Sequence, residues 1–169
     1  MNLQFILVVA AVGVLATLTM DLIGLIGGRL GLAGKGPGRT GADLVGRWFG
    51  YLLRGEFRHH TILVTPALRN EVILGLAVHY SIGIALTLIY FVVVWLVGGA
   101  PSAVSLLIYG IATTIFPWFL LYPSWGYGWL GRSAPGDAHL TRMSVVNHLF
   151  FGLGLALWAA ILLGGIPLL

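Results

Sequence analysis

Long apolar runs separated by short polar stretches set the architecture of this chain. Leu3 to Gly27 is a run that holds Thr17, Thr19 and Asp21, and at about 1.5 Å per residue it outreaches the roughly 30 Å hydrocarbon core of a bilayer. A second run, Val72 to Val97, contains His79, Tyr80 and Ser81 but no formal charge. Gly98-Gly99-Ala100-Pro101 then predicts a tight turn, because glycine permits unusual dihedrals and proline opens a helix readily. The third run, Ser102 to Tyr122, is interrupted by Pro117, which has no N–H to give and so frees a carbonyl one turn earlier. Ser144 to about Leu163 is the fourth. The pattern predicts an all-α fold, a single four-helix transmembrane domain over 1–169 with spans at 3–27, 72–97, 102–122 and 144–163.

Two loops, 28–71 and 123–143, carry most of the polarity. The first starts with the glycine-rich piece Gly31 to Gly38, read as a flexible turn. Further on, Leu44, Val45, Trp48, Phe49, Leu52 and Leu53 share one helical face, with Asp43, Arg47, Gly50 and Arg54 opposite. That spacing predicts a short amphipathic helix lying at the membrane interface, with Asp43 as its N-cap.

Composition agrees with this picture. The chain is 59% hydrophobic and 8% charged with a mean hydropathy of +0.99, too few charges to cover a water-soluble surface. With no cysteine, iron–sulfur clusters and covalently attached haem are excluded. The calculated pI of about 9.9 does not indicate nucleic acid, because the bases flank apolar spans, where topology and anionic membrane lipids account for them. Met1-Asn2-Leu3-Gln4 lacks a basic signal-peptide region, so the first run reads as a retained membrane anchor. Arg29, Lys35, Arg39, Arg47, Arg54, Arg58 and Arg69 lie in the first loop and Arg132 and Arg142 in the third. All nine bases therefore face one side, which the positive-inside rule makes cytoplasmic, leaving both termini outside.

Counting inward from that side places Asp21 roughly 10 Å, His79 roughly 12 Å and His148 roughly 9 Å into the membrane. Ionisable groups in hydrocarbon are costly and turn toward partners in the bundle interior. Glu71 lies near the mouth of the same region, Asn147 neighbours His148, and Arg47 and Arg142 are placed to cap it. Gly75, His79 and Gly83 recur every four residues, a small-residue stripe that another helix can approach closely. Gly24 with Gly28, Gly27 with Gly31, and Gly152 with Ala156 have the same packing interval.

Two readings of the polar set stand side by side. Asp21, His79, Asn147 and His148 are hydrogen-bonded helix contacts, or they form a site for a cation, a proton or a small amphipathic ligand. The imidazole and carboxylate types also admit a divalent metal on Asp21, His79 and His148. His59 and His60 sit on the basic loop, where at least one reads as a surface residue, and His139 reads as an exposed loop residue. Phe116, Trp118, Phe119, Tyr122, Trp125, Tyr127 and Trp129 read as an interfacial aromatic belt, with a pocket for a quinone, pigment or lipid tail as the alternative.

The motifs Gly46-Arg47-Trp48, Gly55-Glu56-Phe57, His60-Thr61-Ile62, Glu71, His79-Tyr80 with Gly83, Pro117, Pro123 with Gly126 and Gly128, Arg142, Ser144, and His148 through Phe151-Gly152-Leu153-Gly154-Leu155 resemble the bacterial family called domain of unknown function 2938. The resemblance covers nearly the whole chain, with Leu76 standing where the family pattern has an aromatic. It implies a small multi-pass protein of the bacterial inner membrane, with no assigned reaction, and it includes Asp21, Arg47, Glu71, His79 and His148. Three function classes follow: a membrane protein with a polar ligand site open to the cytoplasm, an accessory subunit of a larger complex or homo-oligomer, and an enzyme using a His–carboxylate pair on a lipid or quinone. His-Glu-x-x-His and Gly-x-Ser-x-Gly are both missing from the sequence, so the third lacks a motif of its own.

Overall fold

The computed structural model describes residues 2–29, 41–135 and 140–167. The glycine-rich piece Gly31 to Gly38, together with Lys35, Arg39 and His139, lies outside them. Helix α1 is Leu3–Arg29, α2 Ala42–Leu52, α3 Glu71–Leu96, α4 Ala103–Ala112, α5 Tyr122–Ser124 and α6 Leu140–Leu162, and there is no strand among the described residues. Leu3–Gly27, Glu71–Leu96, Ala103–Ser124 and Leu140–Leu162 are long and apolar enough to cross a membrane, within a few residues of the runs read from the sequence. Leu7, Ile73, Trp95, Ile108 and Leu157 are each more than half exposed, and lipid, not water, is the solvent that suits such surfaces. The chain has four candidate membrane spans.

Local chemistry explains the element ends. Gly98, at φ 65°, donates its N–H to Trp95 while Gly99 donates to Val94, the paired bonds by which a left-handed glycine closes a helix. Ser102 and Ser105 then cap α4 reciprocally, each hydroxyl accepting from the other's backbone N–H. The third span breaks at Thr113-Thr114 and continues through a π-helical turn, Pro117–Leu121. The break begins four residues before Pro117, at the carbonyl that proline cannot serve.

The residues form two compact units. One comprises 1–27, 80–114 and 145–169, and its core includes Val9, Val12, Leu86, Tyr90, Leu106, Phe151 and Leu155. Its helices meet at small residues. A Cβ on Gly13 would lie 2.9 Å from the Ile84 Cα, and Thr17 and Thr87 fold their hydroxyls back onto the carbonyls of Gly13 and Gly83 at 2.8 and 2.7 Å. Gly110 and Gly152 bring α4 against α6 in the same way.

The other unit comprises 28–79 and 115–144 and contains the short helix expected in the first loop, α2, but with the face of Asp43, Arg47 and Gly50 turned inward. Asp43, Gly46, Arg47 and Gly50 are buried along with Leu44 and Trp48. The reason is small size at four-residue spacing: Gly46 lies against the Glu71 carbonyl and Gly75, Gly75 against the Ala42 carbonyl, and Gly50 against Leu68. Gly41, at φ 70°, takes the N-cap position, so Asp43 lies within the first turn and its side chain goes inward. The core here is Leu44, Trp48, Ile62, Tyr122, Trp125, Tyr127 and Leu140. Tyr122, Trp125 and Tyr127 are thus core residues and not a belt, whereas Phe116, Phe119 and Trp129 are exposed.

Candidate functional site

The polar centre of the second unit is built on Arg47. Its Nε and Nη2 donate to the two carboxylate oxygens of Glu71 at 2.9 and 2.7 Å, a bidentate geometry that only a guanidinium supplies. Nη1 donates to the carbonyls of Ile62 and Thr65, both at 3.2 Å, and Glu71 also accepts from the Leu68 N–H at 2.9 Å. The pair therefore clamps α2, the 53–70 segment and the start of α3. It is about nine-tenths buried on both sides, and Glu71 raises the pKa of the Arg47 guanidinium further. The other described bases, Arg29, Arg54, Arg58, Arg69, Arg132 and Arg142, are exposed.

Around that clamp, four buried side-chain atoms have no hydrogen-bond partner among the described residues: Asp43 Oδ1, His59 Nε2, Trp125 Nε1 and the Tyr127 hydroxyl. His59 and Trp125 lie in two segments, 59–62 and 124–126, that pair through their backbones. His59 donates its N–H to Ser124 at 2.8 Å and Ile62 donates to Trp125 at 2.9 Å. Gly126, at φ 83°, comes so close that a Cβ would fall on the His60 carbonyl. His60 itself is exposed, while His59 is half-buried with Nδ1 3.3 Å from the Thr65 hydroxyl.

Burial pushes the pKa of His59 down, against a smaller upward pull from Glu56. As pH falls through about 6.5, the unfolded chain takes up this proton before the folded one. The contribution is thus present above that value and is lost as pH approaches the lowered folded pKa. Melting in detergent should show wild type losing more stability than His59→Gln between pH 7 and 5.5. An equal loss in both would assign the dependence to another group.

In the first unit the polar groups are Asp21, Tyr80, Asn147, His148 and Thr113. The Tyr80 hydroxyl hydrogen-bonds the Asp21 carboxyl. His148 Nδ1 lies 2.7 Å from the Thr113 hydroxyl, which donates to Gly110 at 2.6 Å. With that proton committed, the Thr113 oxygen is the acceptor of an N–H from His148 Nδ1. The break after α4 thus has a chemical use, because it holds Thr113 where His148 can reach it. Gly24 on α1 faces the Asn147 amide oxygen, 4.0 Å from where a Cβ would stand.

The residues singled out by depth therefore divide between the units: Asp21, Asn147 and His148 in one, Arg47, Glu71, His79 and Arg142 in the other. Among the described residues no group of three His, Cys, Asp or Glu side chains is arranged to hold a metal ion, so the divalent-metal expectation for Asp21, His79 and His148 gains no support. Tyr80, Thr113, Asp43 and Tyr127 went unnoticed as site residues; Tyr80 adjoins His79, and Asp43 lies one turn before Arg47, and those were the available signals.

A family model described as "Protein of unknown function (DUF2938)" matches residues 10–162. The chain belongs to the DUF2938 family. The match takes in all but the first seven residues of α1 and every other helix, so the DUF2938 pattern and the four spans coincide. Comparison of this DUF2938 protein with curated proteins and with solved structures gave no match.

Proposed function

We propose that this protein is a membrane-embedded binding protein whose polar centre on Asp21, Tyr80, Asn147 and His148 takes a proton or a cationic amphipathic ligand. Entry is from the arginine-bearing side, which faces the cytoplasm of a bacterial inner membrane by the positive-inside rule. The observation that carries this reading is Asp21. It is the only Asp, Glu, Lys or Arg in the sequence of its unit, and it is half-buried and bonded by a phenol. A carboxyl so placed is costly in hydrocarbon and marks an ion or ligand path. His148, fixed through Nδ1 by Thr113, is the second ionisable side chain of the proposed centre.

The test uses tetraphenylphosphonium as the probe cation, with melting of purified protein in lipid nanodiscs as readout. Wild type should be stabilised saturably, with the half-saturating concentration raised at least tenfold in Asp21→Asn and several-fold in His148→Ala. Identical titrations for all three proteins would overturn the reading.

A further inference from the structure

The second unit holds a separate set of unsatisfied groups that this reading does not use. Asp43 is 9% exposed and Tyr127 0%, yet Asp43 Oδ1 and the Tyr127 hydroxyl are without partners among the described residues. Both Asp43 and Arg47 act electrostatically on Tyr127, so the three belong to one neighbourhood. A buried oxygen with no partner costs roughly 1–3 kcal/mol, more when charged. Tyr127 packs in one core with Leu44, the residue after Asp43, and with Trp48 and Trp125, so a ligand with N–H donors seated there would complete both oxygens.

Charge narrows the ligand. Glu71 engages Arg47 through both carboxylate oxygens, so the formal charges of Asp43, Arg47 and Glu71 leave one negative charge on Asp43. An anion is disfavoured there and a cation favoured. Burial pushes the Tyr127 pKa up to about 12, so the phenol keeps its proton and its oxygen is available to accept. The surrounding core contributes aromatic rings, with Trp125 and Tyr127 edge-to-face at 5.8 Å, which suit an ammonium group. The third unpartnered atom, Trp125 Nε1, is a donor and repels a cation, but fits an oxygen carried a short distance away on the same molecule.

We infer that Asp43 and Tyr127 bind a primary ammonium group, with an oxygen of the same ligand accepting from the Trp125 indole. This is the chemistry of ethanolamine, free or as the headgroup of phosphatidylethanolamine. Quaternary amines lack the N–H donors that the two oxygens require.

The experiment is melting of the full chain in phosphatidylglycerol nanodiscs with ethanolamine or choline added, and in nanodiscs that contain phosphatidylethanolamine. Ethanolamine should stabilise wild type saturably, with choline at least tenfold weaker. Asp43→Asn should abolish the response, Tyr127→Phe should raise the half-saturating concentration several-fold, and Gly27→Ala, whose Cβ position nothing approaches within 4 Å, should leave it unchanged. A response to free ethanolamine identifies a soluble amine, and one confined to phosphatidylethanolamine discs a lipid headgroup; either supports the inference. No response in either arm, equal responses to choline and ethanolamine, or an undiminished response in Asp43→Asn would overturn it. If Asp43→Asn does not fold, Tyr127→Phe and the choline comparison decide.

Discussion

Replacing Arg47 by alanine is expected to cost about 3–5 kcal/mol of stability, the range for breaking one side of a buried ion pair. The loss is large because Glu71 is left charged and buried, and because the carbonyls of Ile62 and Thr65 lose their donor at the same time. Arg47→Lys should recover less than half of it, since an ammonium cannot serve both oxygens of Glu71 and two carbonyls in the fixed geometry of a guanidinium. The double variant Arg47→Ala/Glu71→Gln removes the stranded charge while keeping an acceptor for the Leu68 N–H. It should therefore be about 1–2 kcal/mol more stable than Arg47→Ala alone. Denaturant titration in detergent micelles measures these three together with Glu71→Gln alone, and strictly additive energies in the double variant would refute the coupling.

Gly46→Ala is the second large effect, and its sign opposes helix propensity. In an open helix position the change to alanine would stabilise by about 1 kcal/mol. Here the added Cβ falls on the Glu71 carbonyl oxygen and 2.6 Å from the Gly75 nitrogen, both backbone atoms that no rotamer change can move aside. The steric cost of about 3 kcal/mol outweighs the propensity gain, for a net loss of about 2 kcal/mol. Gly27→Ala is the control, because nothing lies within 4 Å of its Cβ position. The same titration should find Gly27→Ala neutral or slightly stabilising, and a Gly46→Ala protein as stable as that control would contradict the close packing of α2 on α3.

The spans were legible because lipid imposes one requirement on every residue that faces it, and a run of twenty apolar residues records that requirement directly. The hairpin turn and the break before Pro117 were legible for local reasons, a glycine's dihedral freedom and a missing N–H. Asp21 and His148 stood out because ionisable groups in such runs are costly. Their partners Tyr80 and Thr113 did not stand out, since neither a phenol nor a hydroxyl is unusual in a membrane helix.

The second unit was harder to read. Asp43 and Arg47 looked like the solvent face of an amphipathic helix because hydrophobic patterning assigns polar residues outward. The contrary signal, Gly46 and Gly50 beside them, becomes meaningful only once a second helix is known to approach. Tyr122, Trp125 and Tyr127 match the composition of an interfacial belt equally well, and only the pairing of 59–62 with 124–126 turns them inward.

That pairing also sets an order of events during biosynthesis. Arg47 and Glu71 are 24 residues apart, so the clamp has both its halves as soon as the second span begins to leave the ribosome. Trp125, Gly126 and Tyr127 follow only after the third span has been made. The aromatic core over Ile62 and Trp48 therefore closes as a late step of translation, onto a clamp whose residues were available two spans earlier.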